Sequence, residues 1–97
     1  MAIIPYGSST LTNTYTATLT TNWTANDAGY YTQTVTVGGI LATDNPIIDL
    51  VTTTANYEKE QEAWGRVFKA VSTADQITFY SNKSTDTAVN LVIKVVR

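Results

Sequence analysis

Glu58 and Glu62 stand four residues apart in the run Glu58-Lys59-Glu60-Gln61-Glu62, a spacing that puts both carboxylates on one face of a helix. Carboxylates so paired can divide acid and base work or hold a metal ion. The same spacing also marks a solvated acidic face, and Trp64, Val67 and Phe68 on the opposite side favour that plainer role. Asp44, Asn45 and Asp49 form a second oxygen-bearing group for a hard cation, but Asp44-Asn45-Pro46 is a turn sequence in its own right. No EF-hand loop, P-loop, GxGxxG or HExxH pattern occurs. Histidine and cysteine are absent, which removes Ser-His-Asp and Cys-His nucleophiles, Cys/His zinc sites and disulfides. No catalytic, cofactor-binding or metal-binding residue is assigned, and the chain is expected not to be an enzyme.

Aromatic side chains remain as carriers of recognition, since exposed rings stack on sugars and on apolar partner surfaces. Trp64, Phe68 and Phe79 fall on inward positions of their elements and are expected in the core. Tyr30 and Tyr31 are consecutive on a strand, so they point to opposite faces and one of them lies outside. Tyr30, with Tyr6 and Tyr80, forms the candidate interaction surface; the alternative is that all three are amphipathic rim residues. The sequons Asn22-Trp23-Thr24 and Asn82-Lys83-Ser84 matter only in a eukaryotic secretory route.

Length, composition and periodicity set the framework that carries these residues. The 97 residues suit one domain. Charged residues make up 14% of the chain, against about 25% in ordinary domains, and roughly a fifth of the residues are threonine, a strand former. From Thr10 to Thr20 threonine takes every even position, with Leu11, Tyr15, Ala17 and Leu19 on odd ones, which predicts a strand with a core face and a hydroxyl face. After a turn at Thr24–Gly29, Tyr31, Val35 and Val37 alternate with Thr32, Thr34 and Thr36, predicting a second strand paired with the first as a hairpin. Ile47–Val51 is a third strand. A single amphipathic helix is expected over Ala55–Val71, with Thr54 as N-cap, acidic residues in its first turns, Arg66 and Lys69 in its later ones, and a Glu62–Arg66 pair. Gln76–Ser81, with Ile77 and Phe79 inward, and Ala88–Val96, with Leu91, Ile93 and Val95 inward, complete the chain. The expected fold is α+β, mainly β. It has about five antiparallel strands, in a curled sheet or small sandwich, and one amphipathic helix between strands 3 and 4. Residues 10–97 form the domain, and 1–9 an N-terminal arm that docks on a neighbour or frays.

The net charge is −2 and the Lys and Arg residues are scattered, apart from Lys59, Arg66 and Lys69, so nucleic acid is not an expected partner. No apolar run approaches the ~18 residues of a membrane span, and the N-terminus lacks the basic and apolar regions of a signal peptide. No membrane association is expected.

Trp23, "AGYYTQTVTVGGILATDNPIIDL" (28–50), "QEAWGRVFKA" (61–70), "QITFYSNK" (76–83) and the closing "NLVIKVVR" together resemble a small β-rich domain of structural proteins from tailed phages of Firmicutes. In those phages the domain recurs in tail-fibre, baseplate, head-fibre and decoration proteins. The resemblance spans about 14–97, with Tyr30 standing where such domains carry a small residue or proline. It implies a virion protein, made in the host bacterial cytoplasm, that works by assembly with itself and with other virion proteins. A homo-oligomer is implied, with a trimer favoured by analogy to fibres. A module that attaches to glycans of the host surface is the alternative, and an enzyme acting on cell-wall sugars a third that lacks acid–base residues. Both an independent small protein and a domain of a longer one are compatible with the sequence.

Overall fold

The computed structural model describes residues 12–96; the arm assigned to residues 1–9, and Tyr6 within it, lie outside them. The threonine alternation forms β1, Thr12–Leu19, which exposes Thr12, Thr14, Thr16 and Thr18 and turns Tyr15, Ala17 and Leu19 inward. It is followed by β2 (Thr24–Ala25), β3 (Tyr31–Thr36), β4 (Ile47–Val51), the helix α1 (Tyr57–Gly65), β5 (Val67–Thr73), β6 (Gln76–Ser81) and β7 (Val89–Val96). The strands form two antiparallel sheets, ordered β1-β7-β4 and β2-β3-β6-β5. Among the described residues the domain is thus mainly β with one helix, in the two-sheet form, and has seven strands rather than about five.

Alternation on the inner strands builds the shared core. Val89, Leu91, Ile93 and Val95 of β7 meet Ile77 and Phe79 of β6, with Leu19, Val37, Ile40 and Ala63 closing the layer. Burial of each large member contributes about 1.5–3 kcal/mol. The chain enters this core after β3 through a turn tied to Asp75. The Asp75 carboxylate accepts the Gly39 N–H at 2.8 Å, its carbonyl accepts from Val37 and its N–H donates to Ile40, each at 2.9 Å. Asp75 holds φ at 61°, a left-handed conformation that Asp tolerates better than most residues.

One expectation about connectivity is corrected. β1 does not form a hairpin with β3. It pairs along its whole length with β7, from Thr12↔Val96 to Leu19↔Val89, while β3 lies between β2 and β6. Alternation fixes which side chains face the core, and that pattern is satisfied in either sheet. The crossing between sheets is held by Gln33, whose side chain takes the part of a neighbouring backbone. Its carbonyl oxygen accepts the Thr20 N–H at 2.8 Å and the Thr20 hydroxyl at 3.1 Å, and its amide donates to the Thr20 carbonyl at 3.0 Å.

The helix stops at Gly65 instead of Val71. Arg66 N–H bonds the Ala63 carbonyl at 3.2 Å, a tightened last turn, and the β-branched and aromatic residues Val67, Phe68, Val71 and Thr73 then extend as β5. Their spacing satisfies both periods, so periodicity alone could not separate helix from strand. Thr54 is not the N-cap: Asn56 occupies that position without a side-chain cap bond, and the Thr53 hydroxyl accepts the Asn56 N–H at 3.3 Å. No cation sits in the last turn, Lys69 being on β5, although the Glu62–Arg66 pair forms at 3.8 Å. Phe79 is fully buried and Trp64 rests half-buried beside it, but Phe68, expected inward, is 56% exposed.

Candidate functional site

Phe68 faces outward because β5 carries a bulge. Val67 pairs with Ser81 and Lys69 with Tyr80, so Phe68 is the extra residue between them, and a bulge of this kind re-aims a side chain. In the register of β3 with β6, Thr32 lies opposite Tyr80 on the same outward face. Tyr30, two residues before Thr32, shares that face. It is held there by Asn26, whose side-chain oxygen accepts the N–H groups of Ala28 at 2.9 Å and Tyr30 at 3.4 Å, and whose own N–H donates to the Tyr30 carbonyl at 2.9 Å.

The structure therefore brings Tyr30 and Tyr80 together and adds Phe68 against both. Ring centroids lie 5.6 Å apart for Tyr30–Tyr80, 5.9 Å for Tyr30–Phe68 in an edge-to-face contact, and 6.3 Å for Phe68–Tyr80. Lys69 Nζ sits 5.1 Å from the Tyr80 ring centre, in cation–π range. The two tyrosines are half-buried. Such a platform offers apolar ring surface with a polar rim, suited to an apolar side chain of a partner or to the face of a sugar ring. Tyr6, the third expected member, lies outside the described residues.

The aromatic platform continues into an apolar edge. β4 and β5 are each at the end of their sheet, and they meet: Ser72 Oγ donates to the Asp44 carbonyl at 3.3 Å, and Ile48 and Val71 line one crevice of about 330 Å³. Around this edge Ile47 is 59% and Val51 47% exposed on β4, and Val71 and Phe68 are exposed on β5. The same outward faces carry threonines further across: those of β1 share a face with Ile47 and Val51 across β7, and Thr34, which bonds Thr78 hydroxyl to hydroxyl at 2.9 Å, shares one with Val71 across β6.

The candidate acid pairs do not come together as a site. Glu58 and Glu62 are exposed on α1, with Glu62 beside Arg66. The Asp44 carboxylate accepts the Leu41 N–H at 2.8 Å and closes its own turn, while Asp49 is exposed on β4 opposite Val92. Among the described residues no three acidic side chains converge on a common centre. The buried carboxylate is Glu60, 4% exposed, which accepts the Thr53 N–H at 2.7 Å and the Thr53 hydroxyl at 3.1 Å. It staples the loop after β4 to the helix and was invisible among its charged neighbours in sequence. Phe68 and Lys69 were missed because they were placed on the helix; the run Val67-Phe68-Lys69-Ala70-Val71 directly after Gly65 was the signal for a strand.

No family model matches the chain, and neither a curated protein nor a solved structure matches it.

Proposed function

We propose that this chain is a non-enzymatic structural module of a tailed-phage virion, a capsid-decoration or fibre unit that works by protein–protein assembly. The placement on a virion rests on the sequence resemblance. The mode of action rests on the β4/β5 edge, where two strands, each with one open edge, present Ile47 and Val51 on the outward face of one sheet and Phe68 and Val71 on the outward face of the other. Edge strands with exposed apolar side chains are templates for pairing with another chain, and here a single charge on each, Asp49 and Lys69, is all that guards them. A homo-oligomer, with a trimer favoured, and contacts to other virion proteins follow from this role.

Mass spectrometry and imaging of purified particles test the placement, with the protein expected as a stoichiometric component. Sedimentation of the isolated chain tests self-association: the expected result is an oligomer that Ile47→Asp together with Phe68→Asp reduces to monomer. A monomer at high concentration for the unmodified chain overturns it.

A second reading, attachment to glycans of the host surface, is favoured by one observation, the contact of Tyr30, Phe68 and Tyr80 beside Lys69. Glycan arrays and host-cell pull-downs should then give a signal that Tyr30→Ala or Tyr80→Ala removes. Silent arrays, or binding unchanged by both substitutions, exclude it.

A further inference from the structure

A separate cleft of about 400 Å³ opens between α1 and the loop joining β6 to β7. Lys59 and Arg66 reach it from the helix, and Lys83, Ser84, Thr85 and Thr87 from the loop. Lys59 and Arg66 are seven residues apart and share a helical face with the buried Ala63 between them. The two walls are tied to one another. Asn82 N–H donates to the Arg66 carbonyl at 3.0 Å, and the fully buried Ser81 hydroxyl donates to the Lys83 carbonyl at 2.6 Å and accepts its N–H at 3.3 Å. Thr85 accepts the Trp23 indole N–H at 3.1 Å, which anchors the middle of the loop to the core.

Three of the six Lys and Arg residues of a chain with net charge −2 thus line one cleft. Glu62 and Asp86 line it too, Glu62 at 3.8 Å from Arg66 and Asp86 accepting the Thr87 hydroxyl at 3.2 Å, so three cations face two carboxylates and the cleft keeps a net positive charge. Lys59 and Lys83 enter no ion pair among the described residues. We propose that this cleft is an anion site for a phosphate ester carried on a sugar or polyol. The ester oxygens pair with Lys59, Arg66 and Lys83, and the carrier hydroxyls bond Ser84, Thr85 and Thr87. Three cations suit a phosphate better than a single carboxylate, and the confined basic cleft, unlike an extended stripe, does not suit a nucleic-acid backbone. The site is separate from the aromatic platform and independent of the assembly role.

The test is an amide-resolved NMR titration of the full chain with glycerol 3-phosphate and glucose 6-phosphate, with glycerol, glucose, inorganic phosphate and sodium chloride at matched ionic strength as controls. The expected result is saturable movement of the 82–87 amides with the esters alone, or with the esters more tightly than with inorganic phosphate. Lys59→Gln and Lys83→Gln should each weaken binding by about fivefold, the upper range for one exposed ion pair, and Lys83→Arg should restore it. Both lysines are exposed, so the variants keep a dispersed spectrum. Absence of saturation, equal movement with sodium chloride, or affinity unchanged by both Gln variants overturns the proposal. Inorganic phosphate binding as tightly as the esters overturns the part assigned to the carrier.

Discussion

The two outer edges of the domain are built from the same alternation yet present opposite chemistry. Towards one edge of each sheet, β1 and β3 turn hydroxyls to water, Thr12 to Thr18 and Thr34 to Thr36, and these side chains wet the sheet with almost no charge. At the other edge, β4 and β5 turn Ile47, Val51, Phe68 and Val71 to water. Both sides contribute to the core, because most inward residues of their strands are apolar, with Gln33 on β3 and Ser72 on β5 among the polar inward residues, each hydrogen-bonded. Burial explains why every strand has an apolar face. It does not explain why two edge strands carry apolar residues on the outward face as well, and an exposed apolar edge of that kind is what the proposed assembly role would use.

Two phenylalanines on neighbouring strands separate core from edge most sharply. Phe79 on β6 is fully buried and Phe68 on β5 is 56% exposed. Phe79→Ala should cost about 3–5 kcal/mol, the usual range for removing a core aromatic, read as a lower urea midpoint. Phe68→Ala should cost about 1 kcal/mol, the worth of its contacts with Tyr30 and Tyr80, while weakening self-association. Equal stability losses would mean that Phe68 serves the fold, and the apolar edge would lose its claim to be an interface.

An intermediate effect is expected where the helix is anchored beside that edge. Glu60 accepts both the N–H and the hydroxyl of Thr53 from a buried position. Glu60→Ala leaves the Thr53 amide without its acceptor and should cost about 1–3 kcal/mol. Glu60→Gln keeps one acceptor oxygen and should recover much of that loss. Because β4 ends just before Thr53, hydrogen exchange in Glu60→Ala should quicken first at the end of β4 and the start of α1. Uniform quickening throughout the domain would show that Glu60 supports the whole fold and not the edge.

How far this asymmetry was legible in the sequence depends on the range of the interactions that create it. The alternating strands β1, β6 and β7 were readable because a period of two is local, and the same rule sets Tyr80 on the face of β6 opposite Phe79. β5 was read as helix because Val67, Phe68 and Val71 fit either period, and only the pairing of Ser81 with Val67 and Tyr80 with Lys69 decides it. The bulge that exposes Phe68 is a property of that pairing. The meeting of β4 with β5 depends on the Ser72–Asp44 contact, 28 residues apart, and the basic cleft on Lys83 arriving beside Lys59 and Arg66. None of these carries a local signal.

The smallest effect is expected on the threonine side, and it tests whether that side is inert by composition or by position. Thr34 and Thr78 bond to one another on the outward face of the four-stranded sheet. Replacing both by valine keeps the β-branched shape and strand preference and removes both ends of one exposed hydrogen bond. No donor or acceptor is left stranded, so the urea midpoint should correspond to a change within about 0.5 kcal/mol. Sedimentation should also be unchanged, because the proposed association runs through the β4/β5 edge and not through the middle of this sheet. New association in Thr34→Val with Thr78→Val would give a different lesson: any outward position of this domain can become adhesive, and the threonines themselves confine contact to one edge.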